Sequence, residues 1–249
     1  MKKLVVGNWK MNPQRAEDAK SIAQKVKRNS RNIRKTQIVL CPPFVYIPAI
    51  ASSAGGNIFL GAQDVFYEQS GNFTGEISAE QLARLKTNFV IVGHSERRQM
   101  GESDEVVGKK IREVLEFGMS PILCVGEKER DPNGDYYNFI KHQIQTGLKE
   151  ASKKFIVNLV VAYEPVWAIG AKEAMKASEL HEMSIFIRKV LKDLFGDLSL
   201  GIRILYGGSV DRVNAENLVK EGNVSGLLIG RVSLNATDFI EITRLIDQI

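Results

Sequence analysis

Apolar residues in this chain come in short unbroken runs rather than in alternation with polar ones. Eight runs stand out: LVVGNW, QIVLCPP, IFLGAQ, FVIVGH, PILCVG, LVVAYE, RILYGG and GLLIG. They are rich in Val, Ile and Leu, and such runs predict strands buried on both faces of a parallel sheet. Parallel neighbours need crossover connections, usually helices. The intervals supply them. SDEVVGKKIREVLEF (103–117) opens with Ser and two acids and sets Val106, Val107, Ile111, Val114 and Leu115 near helical spacing. SELHEMSIFIRKVLKDLF (178–195) repeats the pattern, with acids early and Lys and Arg late, as the helix dipole favours. Eight βα units in about 250 residues predict an α/β fold of the (β/α)8 barrel type. A doubly wound open sheet is the competing architecture, and it collects its functional residues near one switch point. Here polar or glycine-rich turns follow nearly every run: Asn8 and Lys10, Gln63, His94 to Arg98, Glu127, Glu164, Gly207 to Ser209, and Gly230. Only a closed barrel brings all those ends to one mouth.

Composition narrows the class. With 249 residues, 44% hydrophobic and 25% charged, the chain is long enough for a full core and ordinary for a globular protein. No linker, low-complexity tract or charged tail divides it, so one domain is expected over 1–249. The start, MKKLVVGNWK, has too short an apolar run for a secretory segment, and no stretch approaches a membrane span. A cytoplasmic protein without membrane contact is expected, with Cys41 and Cys124 as reduced core thiols. The net charge is +5. Six basic residues fall between Lys25 and Lys35 with no acid and no interleaved aromatic, which reads as a solvated helix end rather than a nucleic-acid site. A general positive field favours a small anionic substrate instead.

Polar groups at the carboxyl ends of barrel strands are candidates for catalysis. Glu164 follows the sixth run in AYEPVWAIG. Pro165 biases it toward extended backbone, and Trp167 offers an apolar wall that would desolvate the carboxylate, which suits a general base. His94, in VGHSERR, precedes residues that suit a helix start; the positive end of a helix opposes added charge on the ring, and a neutral imidazole donates a hydrogen bond to a carbonyl. His142 and His181 fall in helical stretches and build no metal motif. Lys10, in GNWKMN, supplies charge to an anion or a developing oxyanion; a Schiff-base role is the rival reading. YGGSV and LLIGR follow the seventh and eighth runs, where barrels often hold phosphate on backbone N–H groups. Together these fit proton abstraction next to a carbonyl in a small phosphorylated substrate. No Walker motif or GxGxxG argues for a nucleotide. Another sugar-phosphate isomerase, an aldolase, or a barrel that only binds remain as alternatives.

GNWKMN, CPPF, GAQ, GNFTGEIS, VGHSERR, CVGE, AYEPVWAIG, YGGSV and LLIG occur in the order seen in the triosephosphate isomerase family, which this chain resembles nearly from end to end. That family is itself a standard illustration of such a base and neutral electrophile. The resemblance implies a dimeric, cofactor-free and metal-free (β/α)8 enzyme that interconverts dihydroxyacetone phosphate and D-glyceraldehyde 3-phosphate. It implies Glu164 as the base, His94 as the electrophile, Glu96 beside the lysine, and Asn8 and Lys10 at the substrate. Gly170, Ser209, Gly230 and Arg231 fall at phosphate-cradle positions. The segment Gln63 to Glu76 resembles the loop that enters the partner subunit, and its aromatics Phe66, Tyr67 and Phe73 suggest a buried contact. Two departures stand out. The usual lid tip AIGTGK reads AIGAKEAMKAS here: without a gap Ala171, Lys172 and Glu173 alter it, and with a one-residue deletion Lys172 and Ala174 realign to the usual hinge. The usual Gly-Gly after the eighth run is Gly230-Arg231, a change a backbone donor tolerates if φ is negative.

Overall fold

The computed structural model describes residues 1–169 and 174–249. Eight parallel strands close a barrel in sequence order: β1 Lys3–Asn8, β2 Thr36–Cys41, β3 Ile58–Ala62, β4 Phe89–Val92, β5 Ser120–Val125, β6 Val160–Tyr163, β7 Arg203–Tyr206 and β8 Gly226–Ile229. The closing pair β8–β1 sets Leu4 beside Gly226 and Gly7 beside Ile229. Around the barrel lie α1 Ala16–Asn29, α2 Ile47–Ile50, α3 Ala79–Arg84, α4 Ser95–Gln99, α5 Asp104–Glu116, α6 Asp135–Gly147, α7 Ala177–Phe195, α8 Ala215–Lys220 and α9 Ala236–Gln248.

Two apolar layers explain why the runs do not alternate. Leu4, Val6, Val39, Cys41, Ile91, Ile122, Cys124, Leu205 and Leu228 pack inside the barrel. Their neighbours Val5, Ile38, Leu40, Val90, Leu123 and Leu227 face outward against the helices. Each strand has a period of two, but both faces are buried, so both need apolar side chains. Cys41 and Cys124 are free and buried, and burial raises the Cys41 thiol far above its usual range.

The helix expected from 103 to 117 forms as α5, and the Ser103 hydroxyl accepts the Val106 N–H at 3.4 Å. The helix expected from Ser178 begins one residue earlier. Lys176 holds the N-cap position without a side-chain cap, and Ser178 lies inside the first turn. Among the described residues, no helix is long and apolar enough to cross a membrane.

Candidate active site

The carboxyl ends of the strands surround a cavity of about 520 Å³ lined by Asn8, Lys10, His94, Glu96, Glu164, Gly207, Gly208, Ser209, Gly230 and Arg231, among others. The Gly170 position, and the altered tip at Ala171, Lys172 and Glu173, lie outside the described residues.

Glu164 stands one residue past β6. Its backbone N–H donates to the Val125 carbonyl at 2.7 Å, which fixes the chain where β5 and β6 end. Two glycines make room for it. A Cβ at Gly207 would lie 2.7 Å from the Glu164 Cγ, and one at Gly126 would lie 1.9 Å from its carbonyl oxygen. The residue is 2% exposed, and its Oε2 accepts the Ser95 N–H at 3.4 Å. Oε1 stands 3.5 Å from His94 Nε2. Cys124 lies behind this carboxylate: burial first, then the charge of Glu164, pushes its thiol well above the ordinary range.

His94 is the N-cap of α4. Its Nδ1 accepts the Glu96 backbone N–H at 3.2 Å. A ring nitrogen that accepts a backbone N–H carries no proton, so the proton of the neutral ring is on Nε2, the atom that faces Glu164. The local backbone thus selects the tautomer that donates into the cavity.

Lys10 adopts φ 53°, a left-handed conformation that costs a non-glycine residue about 1–2 kcal/mol. Two amides hold it there. The Asn8 Oδ1 accepts the Lys10 N–H at 3.0 Å, and the Gln63 Nε2 donates to the Lys10 carbonyl at 2.8 Å and to the Cys41 carbonyl at 2.9 Å. The Lys10 ammonium then meets the Glu96 carboxylate at 2.5 Å.

The turns after β7 and β8 are built differently. Backbone N–H groups of Gly208, Ser209, Gly230 and Arg231 find no acceptor among the described residues. The Ser233 hydroxyl and N–H both donate to the Gly230 carbonyl, at 2.7 and 2.9 Å, which pins that turn. Gly230 has φ −82°, and Arg231 opens the 3-10 turn Arg231–Leu234, so the added side chain meets no positive-φ strain. Arg231 is exposed and forms no ion pair among the described residues. Unpaired N–H groups and a cation lining one cavity are the kind of groups that receive an anion.

Several supporting residues were not legible as such. In VGHSERR, Arg97 binds Asp64 at 2.9 Å, while Arg98 binds Asp104 at 2.5 Å and donates to the Gly93 and Cys124 carbonyls at 2.6 and 3.2 Å. Both arginines fasten α4, and with it His94. Buried Lys110 joins Asp64 at 2.7 Å and also pairs with Glu102. The signal was the unusual density of charge after an apolar run. Glu127 does not line the cavity. It accepts from the Tyr163 hydroxyl and from the Trp167 indole N–H, each at 2.8 Å, and from Arg130 at 3.2 Å. This corrects the expected apolar wall at Trp167. The indole is 37% exposed, hydrogen-bonded to Glu127 and stacked by Arg130 at 5.6 Å, because its polar edge finds a buried carboxylate.

In the segment Gln63 to Glu76, Phe66 stacks on Tyr67 and Phe73 with ring centroids 4.3 and 4.7 Å apart, and residues 68–76 are all exposed. Among the described residues, no cluster of three or more His, Cys, Asp or Glu could hold a metal ion.

Comparison with known proteins agrees with this geometry. A family model described as Triosephosphate isomerase matches residues 3–246. A triosephosphate isomerase of Rhodopirellula baltica is 40% identical over 97% of this chain and 96% of its own length. Those of Thermoanaerobacter pseudethanolicus and Natranaerobius thermophilus are 39% and 38% identical, each over 96% of this chain and over 97% and 94% of their own lengths. On a match that spans nearly every residue, the chain belongs to the triosephosphate isomerase family.

Proposed function

We propose that this cavity interconverts D-glyceraldehyde 3-phosphate and dihydroxyacetone phosphate by proton transfer through an enediolate. Glu164 takes a proton from the carbon next to the carbonyl and returns it to the neighbouring carbon. His94 donates from Nε2 to the carbonyl oxygen as negative charge develops there. Lys10, held by Glu96, contributes positive charge at that oxygen, and Asn8 keeps Lys10 in place. The phosphate is received by the N–H groups of Ser209 and Gly230 with Arg231, and Gly170 belongs to the same cradle. The observation that carries this reading is that one cavity holds both Glu164 Oε1 and His94 Nε2, 3.5 Å apart, and the unpaired N–H donors of the turns after β7 and β8.

The aldolase alternative needs a neutral lysine nucleophile, whereas the Lys10 ammonium is ion-paired with Glu96 at 2.5 Å. The isomerisation calls for no metal and no organic cofactor. A coupled assay of the purified protein with D-glyceraldehyde 3-phosphate should show rapid turnover, and borohydride with substrate should trap no covalent adduct. A trapped adduct at Lys10, or a protein without turnover, would overturn the reading.

We further infer a cytoplasmic homodimer of single-domain subunits, joined through Gln63 to Glu76. The support is the exposed run 68–76, with Phe73 at 42% exposure, beside the mouth residue Gln63. Sedimentation at micromolar concentration should give twice the 27.8 kDa chain mass; a monomer would refute the assembly.

A further inference from the structure

The mouth leaves one strongly charged region unexplained. At the amino ends of β1, β2 and β3, Lys2, Lys27, Arg28, Arg31 and Arg34 line an open groove of about 800 Å³. All five are exposed, and none enters an ion pair among the described residues. They form a cationic patch at the end of the barrel away from the substrate cavity.

A solvated helix end accounts for part of this. Lys27 and Arg28 occupy the last turn of α1, where cations offset the dipole. It does not account for Lys2, before β1, or for Arg31 and Arg34, beyond the helix. Like charge also crowds this end: burial first, then the charge of Arg188, holds Lys3 below the ordinary lysine range. A carboxylate is at hand, but Asp247 accepts the backbone N–H groups of Arg34 and Lys35, at 2.7–3.2 Å, and so shapes the rim.

The groove offers backbone donors as well. Gly55 and Gly56 turn at φ 127° and 64°, and a Cβ on either would meet nothing within 4 Å. The N–H groups of Gly56 and Asn57 find no acceptor among the described residues. Asn57 is anchored by its Nδ2, which donates to the Ile33 carbonyl at 3.3 Å. No aromatic side chain lines the groove, so it has no stacking platform for bases. A row of cations with free N–H groups and no stacking surface suits several consecutive phosphates that carry no bases.

We propose that this groove binds a linear condensed phosphate, with Lys27, Arg28 and Arg31 as the principal contacts and the Gly56–Asn57 turn as a backbone donor. The site is independent of the isomerase reading, because no residue is shared with the mouth.

Calorimetric titration of the full chain with inorganic tripolyphosphate tests it. One-to-one binding is expected, weakening as ionic strength rises. Affinity should fall about tenfold for each arginine removed, in Arg28→Gln and Arg31→Gln. Arg28→Lys/Arg31→Lys should keep most of it. Turnover and thermal melting of Lys27→Gln/Arg28→Gln/Arg31→Gln should match the parent, which separates this outcome from misfolding. No saturable binding, or equal affinity in parent and triple variant, would overturn the proposal. Tighter binding of a single-stranded oligoribonucleotide of equal charge would overturn it in favour of nucleic acid.

Discussion

The two ends of the barrel handle charge in opposite ways. At the carboxyl ends, Lys10 is paired with Glu96, Glu164 faces His94 and Ser95, and the backbone of Lys10 is gripped by Asn8 and Gln63. At the amino ends, five cations stand without ion pairs around an open groove, the Lys27 ammonium donating to the Ser52 carbonyl at 2.6 Å. Paired, braced groups hold a geometry, which is what proton transfer needs. Unpaired, exposed groups hold a potential, which suits a multivalent anion. Net charge alone does not tell the two apart; position does.

The largest effect that would break this contrast lies at the mouth. Glu164→Gln should lower kcat by at least ~10²-fold, the scale of a lost positioned base, with little change in melting temperature. Gly207→Ala should follow. The new methyl would contact the Glu164 Cγ at 2.7 Å, and a misplacement of this kind lowers kcat on the order of 10- to 100-fold while folding persists. Steady-state kinetics beside a melting curve would separate these from general damage. Arg231→Gly should raise KM about tenfold and weaken inhibition by sulfate, with kcat nearly unchanged, because a phosphate contact remote from the reacting carbons acts on ground and transition states alike. Unchanged KM would remove Arg231 from the anion site.

Smaller effects sharpen the contrast. Gln63→Leu leaves the Lys10 and Cys41 carbonyls without their amide donor and should cost about 1–3 kcal/mol in denaturant unfolding, together with some activity. Asp247→Asn should cost less and leave activity alone. Burial opposes ionisation of Asp247, but the backbone N–H groups of Arg34 and Lys35 outweigh it and hold the carboxyl below its ordinary value. A lowered folded-state value gives stability that is present above the unfolded value and lost as pH falls through the folded one. The parent should therefore lose stability below about pH 4, and the variant should lose less over that window. Melting curves across the acid range would check the sign.

The barrel was legible because strands buried on both faces leave unbroken apolar runs, and eight of them punctuated by polar turns admit few closures. Glu164, His94 and Lys10 were legible because polar groups stood where strands stop. The braces were not, because their partners are distant in sequence. Gln63 reaches Lys10 across 53 positions, and Trp167 reaches Glu127 across 40. Trp167 was read as an apolar wall because its ring is large; the structure uses its indole N–H as an anchor instead. The basic stretch was read as a helix end because its linear context shows only α1, whereas the groove draws Lys2 from one end and the Gly55–Asn57 turn from another.

The central claim is that Glu164 carries a proton between two carbons of the triose. Running the conversion in D2O and reading the product by NMR tests it most directly. The account predicts deuterium at the carbon that receives the proton in those turnovers in which the Glu164 proton exchanges with solvent, and loss of both conversion and label in Glu164→Gln. Conversion and labelling at the parent rate in Glu164→Gln would contradict it.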